Sequence, residues 1–311
     1  MSIDISIIIP LYNKEDFIER TLRSILTQNI SSWECIIVDD GSTDSSLKTV
    51  TNFIEKNPAN WKIITQENSG QTKARNHGIS IAVGRYFAFL DADDLWPSNK
   101  LRLQIQALEE NPGAVLVLSA FAIFRDHLST PRVVRHKNPV HMNKRWLLMS
   151  GFGGGLESVG MVRRSALSGQ EVFDPTLSTS SGLDLSLRLA ELGQILLLPQ
   201  VGLYYRINPG QWHANANELA KNLEILNKRY QSRFRQDVAR SHAAYLFWIS
   251  ARGQGKKRLV FSLVKALPDW RNKRLLMFLN LIFRNIKSIL FGHLIKKETL
   301  ADIRILDIYR P

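Results

Sequence analysis

Cysteine and long apolar runs are scarce in this sequence of 311 residues. Its one cysteine, Cys35, cannot form an internal disulfide, which favours a reducing compartment. No stretch of the sequence reaches the roughly 20 uninterrupted apolar residues of a membrane-spanning helix. The first residues also lack the basic segment of a signal peptide. The sequence therefore predicts a cytoplasmic protein.

Two glycine-rich phosphate-binding motifs are missing as well. No GxGxxG pattern follows the first apolar segment, which argues against a dinucleotide-binding fold of the usual kind. No GxxxxGK[ST] pattern occurs anywhere, which excludes a P-loop. A nucleotide site in this chain must therefore be built from other residues.

Acidic residues are few in the last part of the chain. The net charge is +13, and residues 221–311 carry the whole excess, with about 20 Lys and Arg against about 6 Asp and Glu. Clusters such as Lys256–Arg258 flank apolar helical patterns, which favours a basic helical extension on an anionic membrane surface, at the inner face of the cell membrane. Packing on the remaining chain, or a dimer contact, explains the pattern equally well. Nucleic-acid binding is disfavoured, because no recognition motif accompanies the charge.

Strand and helix patterns alternate along the first 112 residues. We predict strands at Ile5–Ile9, Cys35–Val38, Trp61–Thr65 and Tyr86–Leu90. Pro10 is expected to end the first strand, and Asn13 to cap the first helix. Alternating strands and helices with short connections predict an α/β fold with a doubly wound, mostly parallel sheet.

Polar residues follow three of these strands. They are Tyr12 and Asn13, Asp39 and Asp40, and the cluster Asp91–Asp94. Because ligands bind beyond the carboxyl ends of parallel strands, we expect these residues to line one crevice. Three neighbouring acids repel one another, and carboxylates suit Mg2+ or Mn2+, which in turn bind phosphates. The alternative is a solvated acidic turn.

Four segments stand out in the first hundred residues: Ser6–Asn13, Ile37–Asp44, Asn68–Asn76 and Phe89–Asp94. In this order they resemble the successive motifs of family 2 glycosyltransferases, which have the GT-A fold. The resemblance implies an inverting transferase that uses a nucleotide-diphosphate sugar, with a UDP-sugar favoured, and Mn2+ or Mg2+. It also implies a glycan or lipid-linked acceptor in the synthesis of a cell-surface polysaccharide.

The same resemblance implies roles for particular residues. The base and sugar of the nucleotide would be held by Pro10, Tyr12, Asn13, and Asp39 or Asp40. Arg75 would meet the nucleotide. Asp93 would bind the metal, with Asp91 and Asp94 beside it.

The second half departs from the family pattern. Many relatives carry Glu-Asp just before a helix of the form x-Asp-Leu-x-Leu-Arg-Leu, and that Asp is the catalytic base. Here the helix is present, but the pair reads Ser181-Gly182. Asp184 takes the role of base, or the base lies elsewhere, or catalysis is impaired. Asp184 is equally explained as an acid that complements the dipole in the first turn of its helix.

The predicted organisation is a GT-A domain over residues 1–220, followed by the basic helical extension over 221–311. Residues 1–112 form the nucleotide-sugar half and 113–220 the acceptor half, with a strand expected at Ser158–Val162 after the glycines of Gly151–Gly155. A histidine often follows the Tyr-Arg pair of relatives, whereas this chain has Asn208 there and His213 further on. Two competing functions are a degenerate protein that only binds nucleotide-sugar, and a nucleotidyltransferase.

Overall fold

The computed structural model describes residues 3–124, 132–134, 156–167, 171–178, 180–207, 222, 225–226 and 228–230. Within these ranges the strands are β1 (Ile5–Leu11), β2 (Trp33–Asp39), β3 (Trp61–Thr65), β4 (Tyr86–Phe89), β5 (Ala114–Phe124), β6 (Arg132–Val134), β7 (Met161–Arg163) and β8 (Gln194–Arg206). The helices are α1 (Ile18–Leu26), α2 (Ser46–Lys56), α3 (Gln71–Ile81), α4 (Lys100–Glu110), α5 (Leu156–Val159) and α6 (Ser181–Leu192). None of these helices is both long and apolar enough to cross a bilayer.

All eight strands belong to one sheet, in the order β3-β2-β1-β4-β7-β5-β6, with β8 alongside β5. β1 runs parallel to β2 and β4, β2 runs parallel to β3, and β5 runs parallel to β8. β7 is antiparallel to β4 and β5, and β6 is antiparallel to β5. The predicted α/β fold with a mostly parallel sheet is confirmed. Because β1, β2 and β4 are parallel, their carboxyl ends share one edge of the sheet.

The central strands are buried along their whole length, as expected for parallel strands that are covered on both faces. On one of the covering helices, α3, the absence of a side chain at Gly78 permits close packing against β1. An added Cβ there would lie 2.6 Å from Cγ2 of Ile8, which is closer than real Cβ contacts. This packing brings the first turns of α3 beside the strand ends.

Residues beyond 112 complete the same sheet, because β7 lies between β4 and β5. Asn222 and Leu226 contact the part of the chain that precedes residue 220. Leu226 packs with Leu177, Leu183 and Leu187, and Asn222 donates to the hydroxyl of Ser178. The domain limits at 112 and 220 remain predictions. Residues 231–311 of the predicted extension, the Gly151–Gly155 turn, Asn208 and His213 lie outside the described residues.

Three local predictions were wrong. β1 does not stop at Pro10 but continues to Leu11, which pairs with Asp39. Asn13 does not cap α1, which starts at Ile18. The backbone of Asn13 has a φ of 49°, and its side-chain oxygen accepts from the amide of Thr43. Asn13 therefore joins the loop after β1 to the loop after β2.

The predicted strand Ser158–Val162 is instead the end of helix α5 followed by β7. Ser158 is used in polar contacts to the loop after β4. Its hydroxyl accepts from the amide of Asp91 at 3.2 Å, and its carbonyl accepts from the indole of Trp96 at 2.9 Å. These long-range contacts favour a helical turn here over the strand that the local pattern indicates.

Candidate active site

The acidic loop that follows β4 is held in shape by buried contacts. The amide of Asp94 donates to the carbonyl of Asp91 and closes a turn. The hydroxyl of Thr21, in α1, lies 3.0 Å from the carbonyl of Ala92 and 2.9 Å from that of Asp94. The loop is therefore held both by its own turn and by its packing against α1.

Asp91 faces helix α3. Its Oδ1 accepts from Arg75 at 2.6 Å and from the side-chain amide of Gln71 at 2.8 Å. Burial raises the pKa of Asp91, the guanidinium of Arg75 opposes that shift, and the negative charges of Glu157 and Asp93 add to it. The site therefore concentrates negative charge that favours a bound cation.

Asp93 faces the loop after β1. Its Oδ2 lies 2.7 Å from Nζ of Lys14, and the Asp93 side chain is 11% exposed. This ion pair joins the loop after β1 to the loop after β4, so Asp93 lies within the same edge of the sheet as the predicted nucleotide contacts.

Asp94 points into the protein instead. Its Oδ1 accepts from the amide of Arg206 at 2.9 Å, and Nε of Arg206 donates to the carbonyl of Asp93 at 2.8 Å. Burial raises the pKa of Asp94 well above its ordinary value, and Asp93 and Asp91 raise it further. Asp94 therefore anchors the loop to β8 and is not a ligand-facing acid.

The two aspartates after β2 have different partners. Asp40 accepts from the amides of Ser69 and Gly70, both at 2.9 Å, and from the side chain of Gln66 at 2.7 Å. It thereby ties the loop after β2 to the start of α3. Asp39 is buried, and its Oδ1 has no hydrogen-bond partner among the described residues.

The residues at the end of β1 complete the edge. Pro10 is buried in the strand, opposite Val38, whereas Tyr12 is 45% exposed. Asn13 bonds to Thr43 and Ser42 in the loop after β2. The ring of Tyr12 is therefore exposed at the end of β1, and Oδ1 of Asp39 is a buried acceptor without a partner among the described residues at the end of β2.

Asp184 lies in a separate polar cluster. It is fully buried, and its carboxylate accepts from Nε of Arg188 at 2.8 Å, from Arg229 at 2.7 Å and from the hydroxyl of Tyr230 at 2.9 Å. Its partners come from α6 and from residues 229 and 230, whereas Asp91 contacts α3 and Asp93 contacts the loop after β1. The structure brings the other predicted site residues to one edge of the sheet and places Asp184 inside the packing of α6.

Asp91 and Asp93 suit a cation that shares its coordination with a phosphate group. Within the described ranges, no three or more His, Cys, Asp and Glu side chains are grouped so that they could hold a metal ion. Mg2+ is usually bound by one or two carboxylates together with substrate phosphates, rather than by a protein cage. Two neighbouring carboxylates fit that arrangement, and Lys14 and Arg75 contact them in this structure.

Sequence reasoning missed three side chains of the site. Lys14 adjoins the first motif segment and Gln71 lies within the third, so both had a local signal. Glu157 had none. It comes from helix α5, far along the chain, and its Oε1 lies 3.3 Å from the guanidinium of Arg75.

A mostly parallel sheet with aspartates at its strand ends fits the GT-A fold that the four segments imply. Two solved structures share the fold at 18% identity. S. aureus TarS 1–349 in complex with UDP-GlcNAc has a TM-score of 0.58 over 85% of this chain and 88% of that one. The mannosyltransferase PcManGT from Pyrobaculum calidifontis, in complex with GDP-Man and Mn2+, has 0.57 over 93% and 88%.

Residues 6–167 match the family described as Glycosyl transferase family 2, and this chain belongs to that family. Among curated relatives, the putative teichuronic acid biosynthesis glycosyltransferase TuaG of Bacillus subtilis is 42% identical over 110 residues, which is 35% of this chain and 44% of TuaG. The Escherichia coli protein WfgD, a UDP-Glc:alpha-D-GlcNAc-diphosphoundecaprenol beta-1,3-glucosyltransferase, is 39% identical over 108 residues, 34% of this chain and 42% of WfgD. The chain spans less than half the length of these two relatives.

Proposed function

We propose that this chain is an inverting glycosyltransferase that moves a sugar from a nucleotide-diphosphate sugar to a glycan or lipid-linked acceptor. The observation that carries the proposal is the convergence of the four motif segments around Asp91 and Asp93. Lys14, which follows the first segment directly, contacts Asp93. Arg75 connects the third segment to Asp91, and Asp40 connects the second to the start of α3. The names of TuaG and WfgD support a role in the synthesis of a cell-surface polysaccharide.

The nucleoside is assigned to the ends of β1 and β2. The exposed ring of Tyr12 offers a face for the base, and the unpartnered Oδ1 of Asp39 can accept a hydrogen bond from base or ribose. Pro10 and Asn13 hold this loop in place, and Asp40 holds the neighbouring turn. Since TarS and WfgD are named with UDP-sugars, a UDP-sugar is the favoured donor.

The diphosphate is assigned to the edge formed by Asp91, Asp93 and Arg75. Asp91 and Asp93 would hold Mn2+ or Mg2+, which when bound neutralises the charge that develops on the departing diphosphate. PcManGT, which shares the fold, is named with Mn2+. Arg75 is buried and positions Asp91, while Lys14 adds a flexible positive charge beside Asp93.

The test is a donor assay with purified full-length protein. UDP-glucose, UDP-GlcNAc, GDP-mannose and a dTDP-sugar are each incubated with Mn2+, Mg2+ or EDTA, with and without a lipid-linked acceptor extract. We expect metal-dependent release of nucleoside diphosphate from one donor, because Asp91 and Asp93 would hold the metal beside the place assigned to the leaving group, next to Arg75.

Other outcomes separate the competing functions. Calorimetric binding of a donor without release, even with the acceptor extract, would contradict the proposal and support a protein that only binds nucleotide-sugar, as Ser181-Gly182 suggests. Release of pyrophosphate from a nucleoside triphosphate would instead identify a nucleotidyltransferase.

For residues 221–311 we propose attachment to an anionic membrane surface, which would bring the site close to a lipid-linked acceptor. The proposal rests on the basic and apolar pattern of the sequence. We expect Lys256→Gln/Lys257→Gln/Arg258→Gln in the full chain to weaken co-sedimentation with phosphatidylglycerol vesicles. At about 1 kcal/mol for each basic residue, the loss amounts to about 100-fold.

The matched control removes three positive charges from the described domain, at the exposed Lys48, Lys56 and Arg102. This control variant should bind the vesicles nearly as well as wild type. Replacing the vesicles with neutral phosphatidylcholine should abolish binding of the wild type. Equal loss in both triple variants would assign the attraction to net charge and contradict a dedicated membrane segment.

A further inference from the structure

Gly182 leaves space that a carboxylate from another helix occupies. A Cβ added to Gly182 would lie 2.5 Å from Oε2 and 2.6 Å from Oε1 of Glu157. Real Cβ atoms do not approach other atoms so closely, so a side chain at position 182 and the observed place of Glu157 exclude each other. The carboxylate of Glu157 thus lies beside position 182, where the resemblance places the acid that this chain lacks.

Glu157 also has the contacts expected of a group that can accept a proton. Its side chain is 13% exposed, and its Oε1 receives only long contacts, from Arg75 at 3.3 Å and from the hydroxyl of Ser181 at 3.4 Å. No described residue donates a hydrogen bond to its Oε2. One oxygen thus stays available for a ligand hydroxyl.

The other acids near this edge are engaged or inaccessible. Asp40 has three donors, Asp91 has two, and Asp93 is paired with Lys14. Asp184 is fully buried beneath three donors. Asp39 keeps a free oxygen, but its side chain is buried at the nucleoside end of the edge, on β2.

Arg75 fixes the relation between Glu157 and the donor site. One nitrogen of its guanidinium contacts Asp91 and another contacts Glu157, while the group stacks 5.5 Å from the ring centre of Phe173. Because a guanidinium is planar and rigid, the two carboxylates are held on either side of one group. Glu157 is therefore connected through Arg75 alone to Asp91, the acid assigned to the diphosphate.

We propose that Glu157 is the catalytic base of the transfer, an inference that rests on the glycosyltransferase function proposed above. The acceptor hydroxyl gives its proton to Oε2 of Glu157. The oxygen of the acceptor hydroxyl forms a bond to the anomeric carbon, and the bond from that carbon to the diphosphate oxygen breaks. The electron pair of that bond leaves with the nucleoside diphosphate.

The first test compares Glu157→Gln with Asp184→Asn, each in the full chain, using the donor that wild type turns over in the panel above. Loss of a catalytic base costs about 100- to 10,000-fold in rate. We expect that loss in the kcat of Glu157→Gln, with its calorimetric Kd for the corresponding nucleoside diphosphate within about twofold of wild type. Asp184→Asn should keep a larger kcat.

The outcomes distinguish the two proposals. An active wild type whose kcat survives Glu157→Gln would overturn the role of Glu157 and leave the glycosyltransferase function standing. A wild type that releases no nucleoside diphosphate from any donor would overturn both. If Glu157→Gln weakened nucleotide binding and kcat equally, Glu157 would be a group that positions Arg75, and the proposal would again fail.

A second test moves the acid back to residue 182. Glu157→Ala removes the obstructing carboxylate, and Gly182 has no left-handed φ that would oppose a side chain. We expect the kcat of Glu157→Ala/Gly182→Asp to be at least about tenfold higher than that of Glu157→Ala. Glu157→Ala/Gly182→Asn is the matched control, and equal activity in the Asp and Asn variants would contradict a base at this place.

Discussion

Asp93→Ala is expected to abolish metal-dependent binding of the nucleoside diphosphate. Asp93 provides one of the two carboxylates at the edge where the diphosphate is assigned, and its side chain is paired with Lys14 at 2.7 Å. Without it, only Asp91 of these two carboxylates would remain to hold a divalent cation beside the diphosphate. We expect Kd to rise about 100-fold or more, which corresponds to about 3 kcal/mol.

Calorimetric titration of UDP and GDP in Mn2+ and in EDTA measures this effect. Wild type should bind tightly only with the metal, and Asp93→Asn should behave like Asp93→Ala because it removes the charge but keeps the shape. Glu55→Gln, an equal loss of charge on the exposed face of α2, is the control. Tight binding by Asp93→Ala in Mn2+, or by wild type in EDTA, would contradict the metal assignment.

Arg75→Lys is expected to reduce both turnover and stability, although it keeps the positive charge. Arg75 contacts Asp91 and Glu157 with different nitrogens and stacks on Phe173, whereas a lysine can reach only one acid. Misplacement of a catalytic group by about 1 Å costs on the order of 100-fold in rate. Because Asp91 is 29% exposed, we expect a loss of about 1–3 kcal/mol in the free energy of unfolding, below the 3–5 kcal/mol of a fully buried pair.

Urea unfolding and donor kinetics together test this prediction. Arg164→Lys is the matched control, since Arg164 also lies over an aromatic ring, Phe87 at 5.8 Å, but is exposed and has no ion pair among the described contacts. It should change neither quantity appreciably. Wild-type kcat in Arg75→Lys would show that the two-sided contact of Arg75 does not organise the site.

Much of the first half of the fold was predictable from sequence. Each central strand is a short run of buried apolar residues, so Ile5–Ile9, Cys35–Val38 and Tyr86–Leu90 are strong local signals that long-range packing does not override. Their polar ends followed directly, because parallel strands place them at one edge. The errors arose where tertiary contacts outweigh local preference, as at Asn13, which bonds to a neighbouring loop.

The partners of the site residues were not predictable in the same way. Asp94 looks equivalent to Asp91 and Asp93 in the sequence, yet it is turned inward by the amide of Arg206, 112 residues away. Asp184 has the sequence context of a catalytic base, but its carboxylate already accepts hydrogen bonds from Arg188, Arg229 and Tyr230. Which acids face a ligand depends on donors from distant segments, and local patterns carry no information about those.

The sequence by itself determined the family, the order of strands and helices, and the edge of the sheet at which the aspartates meet, because these follow from short apolar runs and fixed motif spacing. Only the tertiary structure decided how each acid is used. The clearest case is Glu157, whose carboxylate occupies the space left by Gly182. The two residues are 25 positions apart in the chain, and only the packing of α5 against α6 brings them together.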